Sequence, residues 1–397
     1  YRIYGLAPGT YLVSAGGSSF LPSLSAYETD IPTFAPSSTR DTAAEVSVRS
    51  GEDVSVDIRY RGEPGHSISG SVKVLGTSNA SIALMRAGST IPVATTLQTP
   101  ASRGFIFNGL ADGDYDLVAL ESIVNQTTPV FPALAVSDPK RVKVKGTDVT
   151  GVELVTRTLG SISGKILLEP AKVPECEGKR PPLMAEMLVR YRRPEKEIEK
   201  DVAQTFRAVS GSVPADTAGA FVFRNLQAGS YQFDPRFYAR YWYLQSIVLS
   251  SAGPRSQRVD AAANWTMLKS GEQLSNLTIT LAEGAASIRG KVPLADAESP
   301  PAVVVYLVPN ERDKLDDVLR YFITAVAADG TFTFNSIPPG KYLVLPQTIV
   351  EPQIASLTKL RQPDATAART KLRRTAETKK AEIELKPCQN LADYQMK

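Results

Sequence analysis

The sequence predicts an all-β protein built as a tandem array of β-sandwich domains. Three observations predict this fold. A strand–turn–strand motif recurs four times, a short segment ending in Gly precedes three of the copies, and an alternating apolar segment closes every unit. At 397 residues the chain is too long for one hydrophobic core, and the repeats indicate where it divides.

The recurring motif places its key residues at fixed offsets. An aromatic residue is followed by apolar residues at +2 and +5, Gly at +8, Tyr at +10 and an apolar residue at +12, in the copies 1–13, 105–117, 221–233 and 332–344. Because residues two apart share one face of a strand, each copy is two short strands that turn at the Gly, as a β-hairpin or a tight β-arch. We expect each motif Tyr (Tyr11, Tyr115, Tyr231, Tyr342) to be buried between two sheets.

Two further segments mark where each unit begins and ends. Opening segments of the Ser-Ile-x-Gly type lie at 67–70, 161–164 and 287–290, and alternating apolar segments lie at 54–58, 149–154, 274–281 and 383–385. The motif copies start 104, 116 and 111 residues apart, which is the size of a seven- or eight-stranded sandwich. We therefore predict a partial sandwich at 1–60, sandwiches at 61–159, 160–285 and 286–388, and a tail at 389–397.

These motifs carry a resemblance to a known family. Residues 330–342 (Gly-Thr-Phe-Thr-Phe-Asn-Ser-Ile-Pro-Pro-Gly-Lys-Tyr), residues 4–11 (Tyr-Gly-Leu-Ala-Pro-Gly-Thr-Tyr) and Gly-Val-Glu-Leu at 151–154 resemble carboxypeptidase regulatory-like repeats. The resemblance implies transthyretin-like or Ig-like sandwiches of a kind common in secreted proteins of soil bacteria such as acidobacteria. It implies no peptidase activity, because the family's motifs are core and turn positions.

Helix is predicted in only two places. Residues 312–325 carry apolar side chains at helical spacing, although the resembling family often has a strand there. Residues 355–378 are the second candidate, interrupted by Pro363. The rest of the chain is predicted to be strand and turn.

The sequence offers no constellation of catalytic residues. The chain has a single histidine, His66, whereas a zinc peptidase of the type that carries such accessory domains needs two His and a carboxylate. Asp112, Asp114 and Asp116 alternate, but the Gly and distal Glu of an EF-hand calcium loop do not follow them. We predict a non-enzymatic protein with no metal and no cofactor.

One segment and one residue pair are candidate functional features. The segment is rich in aromatic residues and is a candidate glycan- or protein-binding patch, unless its rings pack into the core and against a neighbouring domain; its members are Phe237, Tyr238, Arg240, Tyr241, Trp242 and Tyr243. The pair is Cys176 and Cys388, which can form a disulfide within the chain or between chains in an oxidising compartment.

Charge and hydropathy argue against nucleic-acid binding and against a membrane-spanning helix. A net charge of +4, spread over the chain, does not predict nucleic-acid binding. No apolar run approaches the roughly 18 residues that a membrane-spanning helix needs.

The predicted function is therefore that of a secreted or cell-surface structural protein, a subunit of a head-to-tail filament or a surface stalk. The first motif copy has no opening segment before it, so either upstream residues or a neighbouring molecule must cover it. We favour a homo-oligomer or polymer assembled through terminal domains. The alternative is a polysaccharide- or protein-binding module that uses residues 237–244.

Overall fold

The computed structural model describes residues 2–17, 27–75, 78–89, 91–99, 102, 104–122, 133–194, 197, 211–250, 257–293, 302–348 and 357–395. Within these residues the chain is all-β in architecture, as predicted, with two helices near its C-terminal end. It divides into two compact units, which meet in the sequence between Leu159 and Gly160.

The first part of the first unit contains only short strands. They are β1 (Gly9–Tyr11), β2 (Ser14–Ala15), β3 (Thr33–Phe34) and β4 (Val46–Val48). β1 pairs antiparallel with β4, and β2 pairs antiparallel with β3. The described residues of 1–60 therefore form two small two-stranded sheets, where the sequence predicts a partial sandwich.

A sandwich follows in the first unit. Its described strands are β5 (His66–Lys73), β6 (Asn79–Arg86), β7 (Pro92–Gln98), β8 (Phe105–Leu110), β9 (Gly113–Ser122), β10 (Ala133–Ser137), β11 (Lys140–Val144) and β12 (Val149–Thr158). One sheet has the order β8-β5-β12 and the other β7-β6-β9-β11, and β10 pairs with both β9 and β12. The core between them includes Ile68, Phe107, Tyr115 and Leu154.

The second unit begins with a sandwich of the same plan. Its described strands are β13 (Gly160–Glu169), β14 (Leu188–Arg192), β15 (Ser212–Pro214), β16 (Ala220–Leu226), β17 (Gly229–Arg236), β18 (Trp242–Ser250), β19 (Arg258–Asp260), β20 (Thr266–Leu268) and β21 (Gln273–Glu283). The sheets have the orders β16-β13-β21-β18-β19 and β15-β14-β17-β20.

The second unit ends with a further sandwich. Its described strands are β22 (Ala286–Lys291), β23 (Val303–Pro309), β24 (Phe322–Ala325), β25 (Thr331–Ile337), β26 (Gly340–Thr348), β27 (Glu382–Leu385) and β28 (Asn390–Gln395). The sheets have the orders β25-β22-β28 and β24-β23-β26-β27. Helices α1 (Leu357–Leu360) and α2 (Thr366–Lys379) follow β26.

The opening strand occupies the same place in all three sandwiches. β5, β13 and β22 each pair antiparallel with the first motif strand on one side and parallel with the closing strand on the other. The Gly of each opening segment is explained by the closing strand, because a Cβ on Gly70 would collide with the carbonyl group of Val152. Gly164 and Gly290 meet the carbonyl oxygens of Leu277 and Tyr394 in the same way.

In its last three copies the repeat motif forms a β-arch, which decides between the two predicted alternatives. In these copies the first strand pairs with the opening strand of one sheet, whereas the second strand belongs to the other sheet. Between the strands, the residue at offset +4 has a left-handed backbone in every copy; these residues are Gly5, Gly109, Asn225 and Ser336. The chain crosses from one sheet to the other at this turn.

The motif tyrosine closes the arch it belongs to. In each copy its hydroxyl donates to the backbone carbonyl four residues earlier; the pairs are Tyr11–Ala7, Tyr115–Ala111, Tyr231–Gln227 and Tyr342–Pro338. The arrangement resembles the tyrosine corner of Greek-key sandwiches. Burial is confirmed for Tyr115, Tyr231 and Tyr342, but the prediction is wrong for Tyr11, which is only half-buried.

The end of the last sandwich differs from the prediction. Residues 390–395 are not a tail: they form β28, which pairs parallel with β22. The segment at 383–385, predicted to be the closing strand, is β27 and pairs with β26 in the other sheet. Alternating apolar residues are common to both kinds of strand, so the pattern alone cannot tell which sheet a strand joins.

The two helix predictions have different outcomes. Residues 312–325 contain two 3-10 turns (Arg312–Lys314, Val318–Arg320) and then strand β24, so a continuous helix is wrong there. The second prediction is confirmed in its described part, where α2 lies on the outer face of a sheet. Leu372 and Ala376 of α2 pack with Leu343, Leu345 and Tyr321 in a separate apolar cluster.

Candidate functional site

The predicted aromatic patch is not a continuous exposed surface. Trp242 begins β18 and is only 2% exposed, and Phe237 and Tyr241 pack against the same core. Tyr243 is half-buried, and desolvation raises the pKa of its hydroxyl. The alternative that the rings pack into the core holds for Trp242, Phe237 and Tyr241, whereas Tyr238 is 85% exposed. Binding of a glycan or a protein by this segment stays a prediction.

The structure joins Cys176 and Cys388 in a disulfide within the chain. Cys176 ends the 3-10 turn Pro174–Cys176 after β13, and Cys388 lies in the turn between β27 and β28. Their Cα atoms are 5.4 Å apart, within the usual range for a disulfide. The bond therefore fastens the sandwich at 160–285 to the last sandwich of the chain. Both half-cystines are buried.

The disulfide belongs to a larger contact between these two sandwiches, which we call the joint. Only Gly284 and Ala285 connect β21 to β22, and both backbone amides donate to the Tyr241 carbonyl at 2.9 Å. The Gly284 carbonyl in turn accepts from the Cys388 amide at 3.0 Å. The linker is thus two residues long and hydrogen-bonded to both neighbours.

Arg240 connects the two sandwiches through polar side chains. Its Nη2 donates to Asn390 Oδ1 at 2.7 Å and to Ser287 Oγ at 3.2 Å, and Ser287 Oγ also donates to Asn390 Oδ1 at 2.9 Å. The Arg240 guanidinium lies 5.8 Å from the Tyr241 ring centroid, and Lys179 Nζ lies 4.8 Å from it. Arg240 and Tyr241, predicted as binding residues, therefore serve the joint.

The last sandwich also contributes side chains to the core of the sandwich at 160–285. Val318 and Leu319 lie in the 3-10 turn Val318–Arg320 between β23 and β24, yet both are buried in the same cluster as Trp242 and Tyr231. The Asp317 carboxylate accepts from the Leu319 amide at 3.0 Å and caps this turn. These two side chains therefore belong to the core of the neighbouring sandwich, while the last sandwich keeps a separate core of its own.

A half-buried arginine, Arg361, connects the helices to the joint. The Arg361 guanidinium donates to the carbonyls of Tyr321 (3.2 Å) and Leu319 (2.9 Å) and lies 4.7 Å from the centroid of the Phe322 ring. Its own carbonyl accepts from Gln232 Nε2 of the first sandwich at 2.8 Å. Desolvation lowers the pKa of Arg361 to about 10, so the side chain stays charged at neutral pH.

Of the histidine and acidic candidates, His66, Asp112 and Asp116 make contacts that hold loops and strands of the first unit together. His66 Nε2 lies 3.5 Å from Asp112 Oδ1, and its Nδ1 lies 3.9 Å from Asp148 Oδ1. Asp112 and Asp148 each also accept a backbone amide, and Asp116 accepts two hydrogen bonds from the Arg141 guanidinium. Across the described residues no group of three or more His, Cys, Asp or Glu has the arrangement of a metal site.

Sequence reasoning missed most residues of the joint. Nothing local marks Val318, Leu319 or Arg361 as contacts with another sandwich. The short linker carried a signal, because the apolar closing segment at 274–281 is followed almost directly by the opening segment at 287–290. Among the described residues, no helix has the length and apolar character to cross a membrane.

Comparison with known proteins does not assign a family. No protein-family model matches the sequence, and no curated protein matches it significantly. The resemblance to carboxypeptidase regulatory-like repeats therefore stays a prediction.

Solved structures give only distant likenesses. The chain is similar to the Bacillus anthracis TIE protein (13% identity, TM-score 0.20), with 92% of this chain and 57% of that chain covered. It is also similar to a streptococcal ancillary pilin (8% identity, TM-score 0.20), with 74% of this chain and 97% of that chain covered. A third similar structure is the minor pilin of Streptococcus agalactiae (10% identity, TM-score 0.24), with 59% of this chain and 99% of that chain covered. At these TM-scores the likenesses support no inference about function.

Proposed function

We propose that the chain is a non-enzymatic, extracellular structural protein whose sandwiches act as rigid spacers. The observation that carries this proposal is the joint in the second unit. A disulfide, a turn that inserts Val318 and Leu319 into the neighbouring core, and a two-residue linker hold consecutive sandwiches in one arrangement. A protein that closed around a ligand would need a hinge at this place, and the linker amides are already bonded.

The disulfide supports an extracellular location. Disulfides persist in oxidising compartments and are rare where thiols are kept reduced. The residues that sequence reasoning considered for chemistry support a non-enzymatic role, because His66, Asp112 and Asp116 are engaged in contacts that hold loops and strands together.

Within this role we propose that the chain assembles with a second molecule of itself through the first motif copy. The first motif copy exposes Ile3 (61%) and Leu6 (44%). The equivalent residues of the next copy, Phe107 and Leu110, are buried against the opening strand of their sandwich. A donated strand with alternating apolar residues would cover Ile3 and Leu6 in the same way.

Sedimentation velocity and electron microscopy of the purified chain test the assembly. We expect mass to rise with concentration, and we expect Ile3→Asp to abolish that rise. Ile91→Asp is the matched control, because Ile91 is also exposed but lies outside the first motif copy. A wild-type chain that remains a folded monomer at high concentration contradicts the assembly proposal.

The alternative proposal is a polysaccharide- or protein-binding module. Its support is now reduced to Tyr238, since the other rings of the predicted patch are buried or half-buried. A glycan panel probed with the wild-type chain and with Tyr238→Ala separates the two roles. Binding that depends on Tyr238 would favour the module.

A further inference from the structure

We propose that the Cys176–Cys388 disulfide is a bypass for mechanical tension, so that most of the second unit carries none of the load transmitted through it. The proposal deepens the structural role proposed above by specifying how load passes through the chain. It follows from where the two cysteines lie relative to the strands.

The covalent path through the unit is short when the disulfide is intact. Cys176 follows the end of β13 at Glu169 by seven residues, and Cys388 precedes the start of β28 at Asn390 by two. Tension that enters at Gly160 runs along β13, crosses the disulfide and leaves along β28. The residues between the cysteines, which span a sequence separation of 212, are off this path.

The two strands that remain on the path, β13 and β28, are each hydrogen-bonded to neighbouring strands. β13 is an inner strand, paired antiparallel with β16 from Gly160 to Lys165 and parallel with β21 from Ser161 to Glu169. Tension along β13 therefore passes through its backbone to Cys176, while β16 and β21 stay paired with it off the path. β28 pairs parallel with β22 from Ser287 to Lys291, so it is loaded along its axis as well.

The bond itself is protected by its surroundings. Cys176 is 2% exposed and Cys388 is 7% exposed, so a dissolved thiol cannot reach the sulfur atoms without local opening of the joint. The Cys388 amide is bonded to Gly284, which keeps this turn against the linker. The disulfide thus lies in a buried part of the joint.

The bypass has a measurable consequence for length. An extended chain spans about 3.4 Å per residue, so the bypassed segment holds on the order of 70 nm of hidden length. With the disulfide intact, only β13, the connection to Cys176 and β28 can straighten, which releases less than about 10 nm. Reduction of one bond changes the extensibility of the unit by about sevenfold or more.

Single-molecule force spectroscopy tests this directly on the full chain, held between marker domains. We expect the oxidised wild-type chain to lack the extension of about 70 nm. We expect that extension in the Cys176→Ser/Cys388→Ser double variant and in the wild-type chain under reductant. The first unit is an internal control, because both cysteines of the chain lie outside it and its sandwich should release about 30 nm in every case.

Two insertions keep the test valid if the cysteine variant folds poorly. A flexible insertion of about twelve residues between Ser270 and Gly271, an exposed turn inside the bypass, should leave the oxidised unfolding length unchanged. The same insertion between Lys172 and Val173, outside the bypass, should add about 4 nm. Equal lengthening by both insertions, or the full extension in the oxidised wild-type chain, overturns the proposal.

The measurement is made on isolated molecules and is independent of assembly. Failure of the chain to form filaments would count against the proposed assembly and leave the bypass standing. A full-length extension in the oxidised chain would overturn the bypass and leave the structural role standing.

Discussion

At the scale of the residue, the motif tyrosine combines burial with a hydrogen bond inside its own arch. Tyr115 is buried between the sheets, and its hydroxyl donates to the Ala111 carbonyl at 2.8 Å. Desolvation raises the pKa of this hydroxyl, which keeps it protonated and able to donate. Burial could be predicted from the constant offset of Tyr from Gly, whereas the acceptor depends on the turn geometry.

Two substitutions of Tyr115 separate the contribution of its hydroxyl hydrogen bond to stability from that of its buried ring. We expect Tyr115→Phe to lower the free energy of unfolding of the first unit by about 1 kcal/mol, through loss of one hydrogen bond. We expect Tyr115→Ala to lower it by about 3–5 kcal/mol, because a cavity is left in the core. Denaturant titration measures both; equal effects would show that the ring contributes nothing beyond its hydroxyl.

Asp116 and Arg141 make the stability of the first unit depend on pH. Two hydrogen bonds from the Arg141 guanidinium (2.9 and 2.8 Å) hold the pKa of Asp116 below its ordinary value of 3.8. The unfolded state therefore binds a proton more readily than the folded state. The contribution is complete above the unfolded pKa and is lost as pH falls through the folded one.

We expect Asp116→Asn to flatten the fall in stability of the first unit below about pH 4, measured by denaturant titration across pH. Asp138→Asn is the matched control, since Asp138 forms an ion pair with Arg157 in which both side chains are mostly exposed. A control variant that flattens the profile as much as Asp116→Asn would assign the effect to surface charge.

The aromatic segment shows where residue patterns stop being informative. Alternation predicts exposed rings only if 237–243 is one strand, but β18 begins at Trp242, and residues 237–241 form the turn before it. The neighbours of Tyr241 and Arg240 include Lys179, Ser287 and Asn390, which are distant in sequence. No local pattern contains such contacts.

At the scale of the element, the opening strand is the part most fully explained by its sequence. Gly70 is required because the closing strand passes so close that any side chain would collide with it. The segment could be recognised from its repetition at 67–70, 161–164 and 287–290, although the repetition does not give the physical reason.

We expect Gly70→Ala to destabilise the first unit by about 3 kcal/mol or more, because a backbone strand must move to accept the new methyl group. Gly146→Ala is the matched control: Gly146 has φ +64° but no atom within 4 Å of a built Cβ, so it should lose only about 1 kcal/mol. Thermal unfolding followed by circular dichroism compares them. A larger loss in the control would contradict the close-approach explanation.

The order of elements was harder to predict at the end of the chain than elsewhere. In the sandwiches at 61–159 and 160–285, the described residues between the motif and the closing segment contain no helix. In the last, α1 and α2 lie between β26 and β27. The alternating residues after the helices belong to β27, and the true closing strand, β28, is polar at several positions. Periodicity identified a strand in the right place but could not assign it to a sheet.

At the scale of the whole molecule, the sequence predicts the array of sandwiches but not how any two are fixed together. The repeat spacing depends on the size of a sandwich, which is local information. The joint depends on Leu319 entering a neighbouring core and on Arg361 bonding to carbonyls of another segment. The central claim is that the joint makes two sandwiches one rigid element.

The distribution of distances across the joint tests that claim most directly. Spin labels on unnatural amino acids at Arg224 of β16 and Glu384 of β27, both exposed, report on the joint without adding cysteine. Labels at Arg224 and Arg190, on the two sheets of one sandwich, give the width expected of a rigid body. We predict equal widths for the two pairs in double electron–electron resonance. A distribution across the joint several times wider than the control would contradict the rigid joint.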